Sequence, residues 1–125
     1  MLHLTLPLPP TINHCYITTR RGQRVLTAEG KEWIEIAQKR AKKAVQEQGW
    51  TVKPKKQVVI EIDTYFPDKR RRDCHNGAKL TMDGLEKVLY DDDRYVLPRY
   101  MLVEIDKQNP RIDLRIYYKE DGWRI

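Results

Sequence analysis

The chain is expected to fold as an α/β domain, a small mixed sheet covered by two helices. Three features of the sequence point there. Alternating or strongly apolar segments recur as strands, two longer segments repeat apolar side chains at helical spacing, and neither pattern forms repeats. The resulting order is strand, helix, strand, helix, strand, strand, which one sheet with helices packed on it satisfies most economically. At 125 residues the chain fits a single domain, residues 1–125, large enough to bury roughly two-thirds of its unfolded surface.

The first strand is read from LHLTLPL, where Leu2, Leu4 and Leu6 share one face. PPTINHCY cannot continue a central strand, because its two prolines lack ladder donors, so a shaped loop is expected. RRGQRVLT places a turn at Gly22 and a short strand through Val25 and Leu26. Thr27 is the N-cap of a helix running to about Gln48, and Gly49 supplies its stop. Trp33, Ala37, Ala41, Ala44 and Val45 recur on one side of it, the pattern of a core-covering helix.

QVVIEIDTYF is the strongest strand in the chain. It sets Val58, Ile60, Ile62 and Phe66 opposite Val59, Glu61, Asp63 and Tyr65, and the two acids are expected on a solvated face. A second helix is expected from about His75 to Leu89, with Ala78, Met82, Leu85 and Leu89 as its apolar stripe. Asn76, Lys79, Asp83 and Glu86 fall on its opposite side. YDDD reads as a loop, and RYVLPRYMLVEID as a strand interrupted at Pro98, at a sheet edge or a bulge. RIDLRIYY closes the sheet with Ile112, Leu114, Ile116 and Tyr118 on one face, and KEDGWRI carries no pattern.

Charged residues make up 34% of the chain and hydrophobic ones 40%, which is polar but still globular. A formal charge of +6 favours a polyanionic partner without naming one. Cys15 and Cys74 stand far apart with no CxxC, which argues against zinc held by thiolates and for a reduced, cytoplasmic protein. The N-terminal MLHLTLPLPP lacks a basic leader, and no apolar run reaches the ~20 residues of a membrane span, so no membrane partner is expected.

The chemistry concentrates in PDKRRRDCHNGAK, where the basic run Lys69 to Arg72 meets Asp73, His75, Asn76 and Lys79. Asp91, Asp92 and Asp93 follow the second helix. Carboxylates beside a cationic stripe suit metal-assisted phosphodiester cleavage: cations hold the backbone, carboxylates hold the ion, and a lysine polarises the phosphate. Equally, Asp73 reads as a helix N-cap, the acid triplet as a surface turn and Lys79 as part of a solvated face. A straight helix of ~15 residues is ~22 Å long, so its two ends cannot share one ion. The helix must be shorter or bent, the loop must return, or a symmetry mate must supply one end.

LPLPPTINHCY, RRRDCHNGAKLTMDGL and YDDDRYV, taken together, resemble the RusA family of Holliday-junction resolvases in order and spacing over roughly Leu4 to Tyr117. That resemblance implies a RusA-like fold and a magnesium-dependent homodimeric endonuclease that nicks four-way DNA junctions symmetrically. It places the catalytic and metal-binding positions on Asp73, His75 and Asp93, with Asp92 the alternative by a one-residue slip, and the catalytic lysine on Lys79. Asp83 matches a further acid along the helix. The basic stripe, Lys69, Arg70, Arg71 and Arg72, would contact DNA, joined by Asn13 and Tyr16 of the proline-rich motif; Asn13 and His14 also read as loop-shaping residues. His75 stands where the family commonly has aspartate. Histidine brings no negative charge and is a softer ligand, which would favour Mn2+ over Mg2+. Two rival functions remain: a junction-binding protein that has lost catalysis, and a nuclease for other branched DNA.

Overall fold

The computed structural model describes residues 1–11, 16–70 and 72–122. Strand β1 (Leu2–Leu6) is followed by a small ribbon of β2 (Tyr16–Thr18) and β3 (Arg24–Leu26), then helix α1 (Ala28–Gln48) and strand β4 (Val58–Phe66). A 3-10 turn over Cys74–Gly77 leads into helix α2 (Ala78–Leu85). A second 3-10 turn, Asp93–Tyr95, opens β5 (Val96–Ile105), and β6 (Arg111–Tyr118) and the one-turn α3 (Lys119–Gly122) complete the chain. The main sheet has the order β1-β6-β4-β5, with β4 and β5 parallel and the other neighbours antiparallel. This is the expected mixed sheet with its covering helices, with the β2–β3 ribbon added to the first connection.

The leucines of β1 are buried and the residues between them exposed. Helix α1 begins where Thr27 accepts a hydrogen bond from the Gly30 N–H, and ends where Gly49 takes a left-handed φ of 74°. It packs Trp33, Ala37, Ala41 and Ala44 into the core. Small side chains along that stripe allow the helix to lie close to the sheet. Its last turn also finishes the edge of β1. The Gln48 side-chain amide accepts from the His3 N–H and donates to the His3 carbonyl, both at 2.8 Å, so groups that would otherwise invite another strand are occupied.

Glu61 and Asp63 do not lie on a solvated face: Asp63 is only 6% exposed. Arg115, cross-strand from Glu61, donates to Asp63 at 2.7 and 3.2 Å and to Glu61 at 2.9 Å, and the Tyr117 hydroxyl donates to Glu61. The guanidinium fork compensates both partly buried acids, and its hydrogen bond holds the Glu61 carboxyl below its ordinary value. The second helix is also shorter than its apolar stripe suggests. It ends at Leu85, Glu86 leaves it with ψ 141°, and Lys87 takes a left-handed φ of 72°. Val88 and Leu89 N–H groups still bond to the Leu85 carbonyl, so Leu89 reaches the same core through a tight turn. Eight residues span about 12 Å.

Strand β5 is the far edge of the sheet, as Pro98 suggested, but the strand runs through Pro98 without a break. The irregularity lies at Met101, where Tyr100 pairs with Ile62 and Leu102 already pairs with Asp63.

Gly77 is where the proline-rich segment meets the start of α2. A Cβ at this position would overlap the Pro9 ring. The proline is held rigid by its own ring, so neither side can give way cheaply. Gly77→Ala is expected to lower stability by about 1–3 kcal/mol in urea denaturation, and Pro9→Ala in the same chain to recover part of that loss.

Candidate metal and nucleic-acid site

The connection between β4 and β5 carries nearly all the candidate residues. Asp73 caps the 3-10 turn, its Oδ1 accepting from the His75 N–H at 2.8 Å and lying 2.9 Å from His75 Nδ1. The His75 ring stands edge-on to Tyr100, centroids 4.4 Å apart. Burial pushes the Tyr100 phenol up to about 12, with Cys74 and Asp73 adding to it. Burial, then the Asp73 charge, raises the Cys74 thiol, so it stays protonated and is a poor ligand. Ligand atoms of Asp73, Cys74 and His75 lie within 4.8 Å of one another.

A second set forms at the other end of α2, where ligand atoms of Asp83, Glu86 and Asp93 also lie within 4.8 Å of one another. Asp83 lies in the last turn of α2 and Glu86, three residues on, is its C-cap. Asp93 comes to them because Tyr90 folds beneath the helix, its hydroxyl donating to the Met82 carbonyl. Asp83 also accepts from the Tyr16 hydroxyl at 2.6 Å and from Lys79 Nζ at 3.3 Å. The β2–β3 ribbon is thereby tied to the site, and Lys79 Nζ also stands 5.6 Å from the centroid of the Tyr16 ring.

Among the acid triplet, Asp92 is engaged in holding the chain. It caps the second 3-10 turn, accepting from the Arg94 backbone at 3.0 Å and from its guanidinium at 2.9 and 3.0 Å. The Arg94 N–H, then the Arg94 side chain, holds the Asp92 carboxyl below its ordinary value. The backbone carbonyl of Asp91 accepts from Lys87 Nζ at 2.6 Å. Asp93 is exposed and belongs to the carboxylate set.

The expected residues therefore divide. Asp73 and His75 stand together, Lys79 and Tyr16 join Asp83, and Asp93 stands with Asp83 and Glu86; the two sets share no member. Glu86 was placed on the polar side of the second helix but not identified as a candidate ligand. Its spacing from Asp83, followed by three further acids, was the available signal. The donor sets differ in kind. One offers a carboxylate and an imidazole beside a protonated thiol, the other three carboxylates, and hard oxygen donors of that kind suit Mg2+ or Mn2+.

The basic stripe is partly neutralised by its own neighbour. Asp68 accepts from the Arg72 guanidinium at 2.6 Å and the Arg70 N–H at 2.9 Å, which draws its carboxyl down to about 2. Arg72 also covers the Phe66 ring at 5.3 Å. Lys69 is exposed, and the Arg70 side chain is 82% exposed. Arg71, Asn13, His14 and Cys15 lie outside the described residues.

Residues 7–117 match the family model described as endodeoxyribonuclease RusA. The chain is 32% identical over 116 residues to the crossover junction endodeoxyribonuclease rusA of Enterobacteria phage 82, covering 91% of this chain and 92% of that protein. It is 32% identical over 115 residues to the crossover junction endodeoxyribonucleases RusA of Shigella sonnei (strain Ss046) and Escherichia coli (strain K12), covering 90% of this chain and 91% of each. Both lengths are matched almost throughout, and the matched span contains both ligand sets and the basic stripe. This chain belongs to the RusA family of endodeoxyribonucleases.

Proposed function

We propose that the chain acts as one RusA-like domain, a divalent-metal-dependent endodeoxyribonuclease that resolves four-way DNA junctions by paired symmetric nicks. Such an activity serves DNA recombination and repair in the cytoplasm. The observation that carries this reading is the pair of ligand sets flanking the eight-residue α2 in a chain of this family. Asp73, His75 and Asp93 are assigned as ligands. Asp92 is the weaker candidate because Arg94 occupies it. A bound Mg2+, or Mn2+ where the His75 imidazole favours it, would supply charge stabilisation at the phosphate and an activated water.

The chain's own groups do the rest. Lys79, paired with Asp83 but more than half exposed, would donate to a non-bridging phosphate oxygen, and that exposure supports the assignment. Lys69 and Arg70 offer exposed cationic heads that would neutralise the DNA backbone, a role assigned from the sequence to Arg71 and Arg72 as well. Tyr16 and, from the sequence, Asn13 are assigned to contact DNA. A non-cleaving junction binder is the second reading, and the observation favouring it is His75 directed at Asp73 in place of an acid.

Symmetric nicking needs two sites, and β5 supplies a surface for a second copy. Leu102 and Val103 are 48% and 55% exposed on this edge, with Met101 and Ile105 similarly open. The opposite edge, β1, is occupied by Gln48. Two copies meeting at β5 about a two-fold axis would pair antiparallel and continue the sheet.

Asp73→Asn and Asp93→Asn are each expected to lower cleavage of a four-way junction at least 100-fold while binding in chelator stays within about threefold. Retained cleavage would remove the altered residue from the ligand set, and wild type that binds without cutting in Mg2+ or Mn2+ would favour the second reading. Lys69→Glu with Arg70→Glu should weaken junction binding and reduce the slope of log K against log salt by about two. Leu102→Glu with Val103→Lys should convert a particle of twice 14.9 kDa, measured by light scattering, to one of 14.9 kDa with its helical signal intact.

A further inference from the structure

Beside Asp73 lies a cavity of about 260 Å3, bounded by the proline-rich segment, the end of β4, Tyr100 of β5 and the Cys74–Gly77 turn. Pro9, Ile62, Phe66 and Tyr100 give it largely apolar walls, while Arg72, Asp73 and Asn76 also line it. Thr64 lines it from the sheet. That residue is 3% exposed, and its hydroxyl oxygen has no hydrogen-bond partner among the described residues. Buried hydroxyls are ordinarily paired, with a nearby carbonyl the usual acceptor. Thr81, also lining this cavity, shows that ordinary case: its hydroxyl donates to the Gly77 carbonyl at 2.8 Å.

A cavity near the lower end of the ~300–1,000 Å3 range of ligand sites suits one ring system rather than a whole nucleotide. Its walls suit the faces of a flat ring, and the Thr64 hydroxyl, able to donate or accept, suits a polar ring edge. Arg72, in the same lining, offers a cation to the phosphate attached to such a ring. We propose that this cavity receives a nucleobase extruded from the branch point, the base next to the phosphate to be cut, with the Thr64 hydroxyl bonding to its edge. Base pairs at a branch point are the least costly to open, so extrusion there favours a junction over continuous duplex. The proposal rests on the junction-endonuclease reading and adds to it a substrate-recognition subsite outside the ligand sets.

The test uses four-way junctions with a fixed branch point, carrying 2-aminopurine in turn at each position flanking the nick. Wild-type protein, bound in chelator, is expected to change the probe's emission at a single position. Thr64→Val keeps the shape and removes the unpartnered oxygen. It should raise the melting temperature, leave junction affinity within about threefold, and cut both the probe response and the cleavage rate roughly tenfold. Thr64→Leu, which fills the space, should abolish the probe response. A threonine with only a structural role would leave the DNA readouts unmoved. If wild type binds and cuts while the probe stays silent at every position, or if Thr64→Val matches wild type on DNA, the base cavity is overturned and the endonuclease reading stands. Failure of wild type to bind or cut any four-way junction would overturn both.

Discussion

One hydrogen bond determines where the acids can meet. Tyr90 is 1% exposed, and its hydroxyl donates to the Met82 carbonyl one turn from the end of α2. A phenol this deep needs a partner, since leaving it without one costs about 1–3 kcal/mol. Making that bond requires the chain to leave the helix at Glu86 and double back through the left-handed Lys87. Asp93 then arrives beside Asp83 and Glu86 rather than being carried away along a longer helix. Burial raises the Tyr90 phenol far above its ordinary value, and the charges of Glu86, Asp93 and Asp83 raise it further. It therefore remains a protonated donor at working pH, and the turn is held irrespective of the charge state around it.

The arginines divide between holding the fold and meeting a partner. Arg115 is committed to Glu61 and Asp63, Arg111 to Asp106 and Asp113, and Arg94 to Asp92. These pairs organise turns and the sheet face that carries Glu61, Asp63 and Arg115, and they contribute little net field. The field available to a polyanion comes more from exposed cations such as Lys69 and Arg70. Asp68 orients this stripe: by binding Arg72 and the Arg70 backbone, it shapes the segment that leads into Asp73.

Much of this arrangement was legible from residue order. Strands β1 and β6 have one buried face each, and period two reports that directly. Helix α1 carries its start and stop in Thr27 and Gly49, where capping chemistry is local. The end of α2 was not legible, because the turn after Leu85 returns Leu89 to the core at the spacing a continuing helix would have used. Glu61 and Asp63 looked solvated because their compensating cation lies more than fifty residues away on β6. Motif spacing singled out Asp73, Lys79 and Asp93, and the structure sets Asp73 beside His75, Lys79 against Asp83, and Asp93 with Asp83 and Glu86. The approach of Asp93 to Asp83 and Glu86, and the cavity beside Thr64, depend on how separate segments converge, which no local pattern encodes.

The parallel pairing of β4 with β5 has a consequence for how such a protein can change. Parallel neighbours require a crossover, and here the crossover from Phe66 to Val96 carries both ligand sets while contributing no strand to the sheet. The scaffold and the chemistry are thereby separated along the chain, joined by a few anchors such as Tyr90 and Gly77. Substitutions at exposed positions of that segment, His75 among them, can therefore change what it presents without reopening the question of whether the protein folds.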